Sequence, residues 1–102
     1  MVYVREAHAI DGRSPSFGVL IEDPISDAER AGVARICMTK MELRPIPAVV
    51  DHIDDKVGRA YSAHPDRLYL VGKDGKIAYA GGRGPFGFIT DELADAIAKE
   101  LK

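Results

Sequence analysis

The 102-residue sequence lacks the features that mark several specialised classes of protein. Its only cysteine is Cys37, which excludes an intrachain disulfide and the usual multi-cysteine zinc frameworks, and leaves open a mixed disulfide or a thiol-linked dimer. No apolar run approaches the length that spans a bilayer, and residues 1–9 lack the apolar core of a signal peptide. We therefore expect a soluble chain in the cytoplasm.

Neither sign of charge is in clear excess, with fourteen basic and sixteen acidic side chains. This balance provides no electrostatic attraction to nucleic acid or anionic lipid, so we expect neither partner. Aromatic residues are scarce at 7%, but 46% hydrophobic and 29% charged residues are typical of a chain that folds. A chain of this length buries one hydrophobic core, which predicts a single domain over residues 1–102.

Helical and strand patterns alternate along the chain and predict an α/β fold with a mixed sheet and flanking helices. Strands are predicted at residues 2–5, 48–50, 68–71 and 77–80, and helices at 27–41, after Asp54 and after Thr90. The last two strands flank Lys73-Asp74-Gly75, a turn that joins antiparallel strands. The last helix should pack against this hairpin.

Capping residues mark the helix starts. Ser26 followed by Glu29 forms a capping box for the first helix, and Asp54 and Thr90 are predicted to cap the two later ones. Helical spacing places four residues on one apolar stripe, which we expect to be buried: Val33, Ile36, Cys37 and Met41. Cys37 should accordingly be a buried and unreactive thiol.

Glu6, His8 and Asp11 collect where the first predicted strand is followed by the loop at 11–16. Strand ends are where α/β folds commonly place their sites, and a carboxylate beside an imidazole can tune a proton donor. The alternative is that Glu6 and Asp11 accept hydrogen bonds from loop amides while His8 lies half exposed. Spacing by itself leaves both interpretations open.

These residues belong to a longer pattern. Val-Tyr-Val-x-Glu-Ala-His at residues 2–8, followed by Asp11-Gly12, resembles the signature that follows the nucleophile-bearing helix in the iodothyronine deiodinase family. Further similar segments follow in the same order: Val49-Val50-Asp51, Tyr61-x-Ala63-x-Pro65-x-Arg67-Leu68-Tyr69, Gly75-Lys76-Ile77-x-Tyr79-x-Gly81 and Gly84-Pro85. The resemblance extends over nearly the whole chain.

The resemblance implies a thioredoxin-like fold related to the peroxiredoxins, with no cofactor and no metal, and lacking the N-terminal strand–helix unit that carries the family's nucleophile. Pro65 is implied to be the counterpart of the family's cis-proline, with an ordinary trans-proline at the start of a strand as the alternative. Glu6 and His8 are the implied catalytic candidates. Glu6, His8, Asp11 and Arg13 also cluster at one strand end and its loop, which favours a shared pocket. The residues that we expect to bind a small anionic or phenolic ligand, or a protein partner, are Glu6, His8, Asp11, Gly12, Arg13, Pro65 and Arg67.

The sequence also departs from the family pattern. The family attacks iodine with a selenocysteine or cysteine, and we expect no residue of this chain to fill that role. The family's second histidine falls near Pro24, and its tryptophan after Asp-Gly is Arg13. We therefore expect a binding module without a redox nucleophile. The alternatives are the C-terminal part of a deiodinase-like or peroxiredoxin-like oxidoreductase, whose cysteine or selenocysteine lies upstream of Met1, and a thiol sensor that uses Cys37.

A glycine pattern and a set of three histidines suggest nucleotide and metal binding, but neither meets the requirements of such a site. Residues 82–87 spell Gly-x-Gly-x-x-Gly, but dinucleotide binding also requires a strand that opens directly into a helix and an acidic residue about 20 positions on, so we expect a connecting loop. The spacing of His8, His52 and His64 matches no metal-ligand pattern.

The implied fold also predicts how the chain associates. In thioredoxin-like sheets the nucleophile's strand lies between the counterparts of residues 2–5 and 67–71. Without it two inner strand edges are unpaired, and each buried backbone group without a partner costs about 1–3 kcal/mol. We expect a homodimer that covers these edges, with a compact monomer and a rearranged sheet as the alternative.

Overall fold

The computed structural model describes residues 1–15 and 20–102, so Ser16 at the end of the predicted loop lies outside the described residues. Its elements, in chain order, are β1 (Val2–Tyr3), α1 (Asp27–Lys40), β2 (Val49–Val50), α2 (Lys56–Ala60), β3 (Tyr69–Val71), β4 (Ile77–Ala80) and α3 (Thr90–Glu100). The predicted α/β class is confirmed. Contacts divide the chain into two compact units, Met1–Tyr61 and Ser62–Lys102, while the prediction of a single domain stays a prediction.

The first unit contains a parallel pair of strands. β1 pairs with β2, with Val2 opposite Val49 and Tyr3 opposite Val50. Parallel neighbours need a crossover connection, which α1 provides. The Asp51 amide continues the ladder with a 2.9 Å hydrogen bond to the Tyr3 carbonyl. The strand predicted at residues 2–5 is therefore present but shorter, because only two of its residues pair with β2.

The start of α1 follows its predicted capping box. The Glu29 amide donates to Ser26 Oγ at 3.2 Å, and Glu29 Oε2 accepts the Ile25 amide at 2.9 Å. The first bond satisfies an amide that a helix start leaves without a partner, and the second holds the residue that precedes the cap. Here a local sequence motif was sufficient, because all of its partners lie within one turn.

The prediction that one apolar stripe of α1 is buried was wrong for two of its four residues, while Val33 and Cys37 are partly buried. Ile36 is 46% exposed and Met41 is 64% exposed, whereas Arg30 and Ala34 are the buried residues of the helix. Ala34 lies one helical turn beyond Arg30, so the two share a face. A hydrophobic pattern does not mark this face, because one of its two members is an arginine.

Arg30 is only 2% exposed and is held by the segment that follows β2. Its Nη1 donates to the His52 carbonyl at 2.7 Å, and its Nη2 lies 2.8 Å from Asp55 Oδ1 in an ion pair without hydrogen-bond geometry. Buried charges are tolerated when they are paired in this way. The guanidinium therefore attaches α1 to the connection between β2 and α2.

The short helix α2 is capped by a different aspartate from the one predicted. Asp54 accepts only the Lys56 amide, at 3.0 Å. The buried Asp51 carboxylate instead accepts the amides of Val57 at 3.1 Å and Gly58 at 2.8 Å. The prediction failed because Asp51 lies several residues before the helix, and the intervening loop must fold back to bring it there.

The second unit contains the predicted hairpin. β3 and β4 are antiparallel, with Leu70 opposite Tyr79 and an irregularity in register next to Val71. The turn between them places Gly75 at φ 80°, a conformation that glycine adopts without steric cost. The hairpin prediction is confirmed.

The helix α3 packs against both strands of the hairpin, as predicted. Thr90 is its first residue rather than its cap, because the cap position is Ile89, which makes no capping hydrogen bond through its side chain. That part of the prediction was wrong. Residues 82–87 form the loop between β4 and α3, closed by a 3.0 Å hydrogen bond from the Gly87 amide to the Arg83 carbonyl.

None of the helices that the structure describes is long and apolar enough to cross a membrane.

Candidate functional site

The end of β1 contains the best-defined polar cluster of the first unit. Tyr3 Oη donates to Glu6 Oε2 at 2.6 Å, and Glu6 Oε1 accepts the His8 amide at 3.0 Å. One carboxylate thus joins a strand residue to the backbone of His8. We call these three residues the Tyr3–Glu6–His8 cluster.

The charges of the cluster follow from its hydrogen bonds. Burial raises the pKa of Tyr3, and the hydrogen bond to Glu6 and the charge of Glu6 raise it further. Partial burial alone would raise the pKa of Glu6, but the hydrogen bond from Tyr3 and those from the amides of His8 and Ala7 outweigh it and lower this pKa. At neutral pH a protonated phenol therefore donates to an ionised carboxylate.

The imidazole of His8 is oriented by the loop. Its Nδ1 lies 2.8 Å from the Ser14 carbonyl oxygen. A carbonyl only accepts, so Nδ1 holds a proton, and in the neutral ring Nε2 is then an acceptor. His8 is exposed, so Nε2 is available to a ligand as an acceptor, or as a donor once the ring is protonated.

Asp11 and Gly12 form hydrogen bonds within the loop, and their role in ligand binding stays a prediction. Asp11 Oδ1 accepts the Asp23 amide at 2.8 Å, and the Gly12 amide donates to the carbonyl of the buried Ala9 at 2.9 Å. Glu6 and Asp11 both accept loop amides, which is one of the two alternatives that spacing left open. The same contacts hold His8 in place, so this structural role is compatible with a ligand site.

Arg13 is exposed and makes no hydrogen bond or ion pair with the residues that the structure describes. It follows Gly12 directly and precedes Ser14, whose carbonyl holds His8. A guanidinium at this position can pair with an anion or hydrogen-bond to it in a planar geometry.

The other two predicted site residues, Pro65 and Arg67, belong to the second unit. The peptide bond before Pro65 is cis, which confirms the isomer implied by the resemblance, and the bond before Pro85 is cis as well. Arg67 Nε donates to the Gly81 carbonyl at 2.6 Å, and its guanidinium carbon lies 5.1 Å from the centre of the Tyr69 ring. Arg67 therefore helps to hold the hairpin, and its role in ligand binding stays a prediction.

Cys37 has surroundings that disfavour its thiolate. Burial raises the pKa of this thiol, and the charge of Glu6 raises it further. Its Sγ lies 3.6 Å from the Met41 sulfur, one turn along α1. The side chain is partly rather than fully buried, but its electrostatic environment agrees with the predicted low reactivity. Within residues 1–15 and 20–102, no group of three or more histidine, cysteine, aspartate or glutamate side chains could hold a metal ion.

The order and types of these residues can be compared with known families. The family model for iodothyronine deiodinase matches residues 1–101. This chain belongs to the iodothyronine deiodinase family. It is thereby related to oxidoreductases.

Individual relatives agree with this assignment. The chain is 31% identical over 100 residues to a type I iodothyronine deiodinase from Xenopus laevis, a match that covers 98% of this chain and 38% of the relative. It is 35% identical over 97 residues to a thyroxine 5-deiodinase from Sparus aurata, covering 91% and 34%. It is 30% identical over 106 residues to the type II iodothyronine deiodinase of Homo sapiens, covering 99% and 38%. The chain thus spans about a third of the length of these relatives.

Sequence reasoning treated Tyr3 only as a strand residue and did not include it in the site. The available signal was its spacing, three residues before a carboxylate. Such spacing does not predict contact in an extended strand, where side chains alternate between faces. The contact forms because β1 ends at Tyr3 and the chain bends before Glu6.

Proposed function

We propose that the Tyr3–Glu6–His8 cluster and Arg13 bind a small phenolic or anionic ligand, and that this chain binds the ligand without a redox nucleophile of its own. The proposal rests chiefly on the 2.8 Å contact between His8 Nδ1 and the Ser14 carbonyl, which orients the ring of this exposed residue. An oriented imidazole, with an exposed guanidinium in the same loop, suits a ligand with a hydroxyl or an anionic oxygen. Within the second unit, Pro65 and Arg67 stay separate ligand-binding candidates by family resemblance.

The chemistry of the site differs with the state of His8. In the neutral ring, Nε2 accepts a hydrogen bond from a phenol hydroxyl. In the protonated ring, it donates to a phenolate or carboxylate, and Arg13 adds a second positive charge. Glu6 stays ionised and restrains the His8 backbone in both states. The cluster can therefore bind the ligand and supply a proton to it.

The low thiolate character of Cys37 supports a binding role for these residues. Nucleophilic attack by cysteine requires the thiolate, and both burial and Glu6 raise the pKa of Cys37. We therefore expect the purified chain neither to release iodide from thyroxine nor to reduce peroxides. Thiol-dependent turnover that disappears in Cys37→Ser would contradict this part of the proposal.

Ligand binding can be measured with 4-iodophenol and thyroxine as probes, by following the histidine ring signals in NMR titrations. We expect the His8 ring signals to shift, and His8→Gln and Arg13→Ala each to weaken binding. Arg44→Ala is the matched control, because Arg44 is an exposed arginine outside the proposed set. Binding that is equally strong in His8→Gln and Arg13→Ala would exclude this site.

The second candidate function is a deiodinase-like or peroxiredoxin-like oxidoreductase in which a segment upstream of Met1 provides the cysteine or selenocysteine. The family match and the relatives' greater length favour this candidate. It is tested by expressing these residues together with any coding sequence upstream and measuring iodide release. Release that requires an upstream cysteine or selenocysteine, and that falls in His8→Gln, would favour the enzyme over the binding module.

A further inference from the structure

The second unit has an open cleft of about 340 Å³ between β4 and α3. Its volume lies at the small end of the range found for ligand sites. The residues that line it are Asp74, Lys76, Ile77, Ala78, Ala96, Lys99 and Glu100. None of these residues belongs to the proposed His8 site.

Three of the residues that line the cleft are apolar, and we call this part of the lining its floor. Ala78 in β4 and Ala96 in α3 have short side chains, so the helix and the strand leave space between them. Ile77 adds a larger apolar surface and is 54% exposed. Covering this side chain with the apolar part of a ligand would remove surface from water, which favours binding.

The acidic residues of the cleft are directed toward the hairpin turn. Asp74 Oδ1 accepts the Lys76 amide at 3.0 Å. A Cβ added to Gly72 would lie 2.5 Å from Glu100 Oε1 and 3.0 Å from Asp74 Oδ1, so both carboxylates extend over this glycine.

The basic residues of the cleft have no such partners. Among the described residues, neither the Lys76 nor the Lys99 ammonium group forms a hydrogen bond or an ion pair. Two unpaired cations therefore border an apolar floor, and the nearby carboxylates do not neutralise them by direct contact. This combination suits a ligand with one anionic end and one apolar end.

We propose that the cleft between β4 and α3 binds a small carboxylate-bearing amphipathic molecule. The carboxylate lies at Lys76 and Lys99, and the apolar part covers Ile77, Ala78 and Ala96. Binding is non-covalent and independent of the function proposed for the His8 site.

The test uses octanoate as the probe and the full 102-residue chain labelled with ¹⁵N. The amide signals of residues 76–78 and 96–100 should shift on titration. Lys76→Gln and Lys99→Gln should each weaken binding roughly twofold to fivefold, because each removes one exposed charge contact. Lys73→Gln is the matched control: it removes an exposed lysine of the same turn that does not line the cleft, and it should change affinity little.

A second variant tests the floor while both lysines are kept. Ala96→Leu retains a good helix former and fills the cleft, so it should abolish the octanoate-induced shifts. Lys99 also lies in the last turn of α3, so thermal unfolding of each variant is recorded to confirm that the fold is retained.

The proposal is overturned if octanoate shifts no amide of the cleft, if Lys73→Gln weakens binding as much as Lys76→Gln, or if octylamine binds as tightly as octanoate. Unchanged octanoate binding in Ala96→Leu would also exclude the cleft. His8→Gln should leave octanoate binding intact, so a failure of the proposed His8 site and a failure of this cleft are distinguishable.

Discussion

Tyr3 Oη donates a 2.6 Å hydrogen bond to Glu6 Oε2. The contact connects the last residue of β1 to the carboxylate that restrains the His8 amide. It also explains why the pKa values of the two groups move apart, because a protonated phenol and an ionised carboxylate stabilise each other. The end of the parallel strand pair therefore fixes the position of Glu6, and Glu6 in turn fixes the backbone of His8.

Tyr3→Phe should raise the pKa of Glu6, because it removes the strongest hydrogen bond to the carboxylate while partial burial persists. We expect a loss of about 1.5–3 kcal/mol in the free energy of unfolding, typical of a hydrogen bond to a charged group. A ¹³C NMR titration of the Glu6 carboxyl measures the pKa. Tyr79→Phe is the control, since Tyr79 donates to Glu92 in the other unit and its loss should not affect Glu6. An unchanged Glu6 titration in Tyr3→Phe would contradict the prediction.

Asp51→Ala should destabilise the chain more than Asp54→Ala. Asp51 accepts two amides of α2 from a buried position, whereas the exposed Asp54 accepts one. Loss of a capping carboxylate costs about 1–2 kcal/mol. Urea unfolding of the two variants at pH 7 compares them directly, and an equal or larger effect of Asp54→Ala would contradict the structure.

The loss of stability caused by Asp51→Ala should also depend on pH. Burial alone would raise the pKa of Asp51, but the amide hydrogen bonds from Gly58, Val57 and His52 outweigh it and lower this pKa. A carboxylate with a lowered folded-state pKa adds stability above its unfolded-state pKa of about 3.9 and loses it as pH falls through the folded-state value. The stability difference between the native chain and Asp51→Ala should therefore be complete at pH 7 and shrink below about pH 4. A difference that is constant across this range would contradict the assignment.

Arg30→Met should destabilise the first unit by about 3–5 kcal/mol, because it leaves Asp55 without its cation and the His52 carbonyl without its donor. The double variant Arg30→Met with Asp55→Asn should recover part of the loss, since it removes the unpaired charge. Arg35→Met is the control on the same helix: Arg35 is exposed, and its replacement should change stability by less than about 0.5 kcal/mol. Urea unfolding of the parent chain and the three variants provides these values. Equal effects of Arg30→Met and Arg35→Met would disprove a structural role for the buried guanidinium.

Iodoacetamide should alkylate Cys37 more slowly in the folded chain than in urea, because burial and the charge of Glu6 raise the thiol's pKa and so lower the thiolate fraction. Glu6→Gln should accelerate the reaction in the folded chain. Glu42→Gln, which removes an exposed glutamate elsewhere, should not. Equal alkylation rates in the folded and unfolded chains would support the thiol-sensor hypothesis instead.

We predict a homodimer in solution that covers the β1–β2 pair. Val49 is 63% exposed and Val2 is 43% exposed, although parallel strands are normally covered on both faces. Light scattering over a dilution series should show a dimer that dissociates at low concentration, and Val49→Lys should favour the monomer. Val71→Lys, at a 60% exposed strand position of the other sheet, is the control. A monomer mass at every concentration, with the fold retained, would disprove the dimer.

Local patterns predicted the features whose partners are close in sequence. The Ser26 and Glu29 capping box and the turn at Gly75 follow from residues within a few positions of one another. The family resemblance added the cis-proline at Pro65 and the membership that the family model confirms.

Other features depended on contacts that neither spacing nor polarity specifies. The Asp51 cap and the buried face of α1 required the chain to fold back, and the Tyr3 contact with Glu6 required the bend that ends β1. Arg30 shows this most clearly. Periodicity assigns an arginine to the surface, yet its guanidinium is buried because the backbone after β2 provides a carbonyl and a carboxylate for it.

The sequence by itself thus determined the fold class, the family and most helix and strand positions, because these depend on local propensity and on the order of motifs. The tertiary structure alone decided which groups are buried and which atoms of the candidate site are paired. The physical reason is that the free energy of a charged or polar side chain depends on the partners that distant segments bring to it.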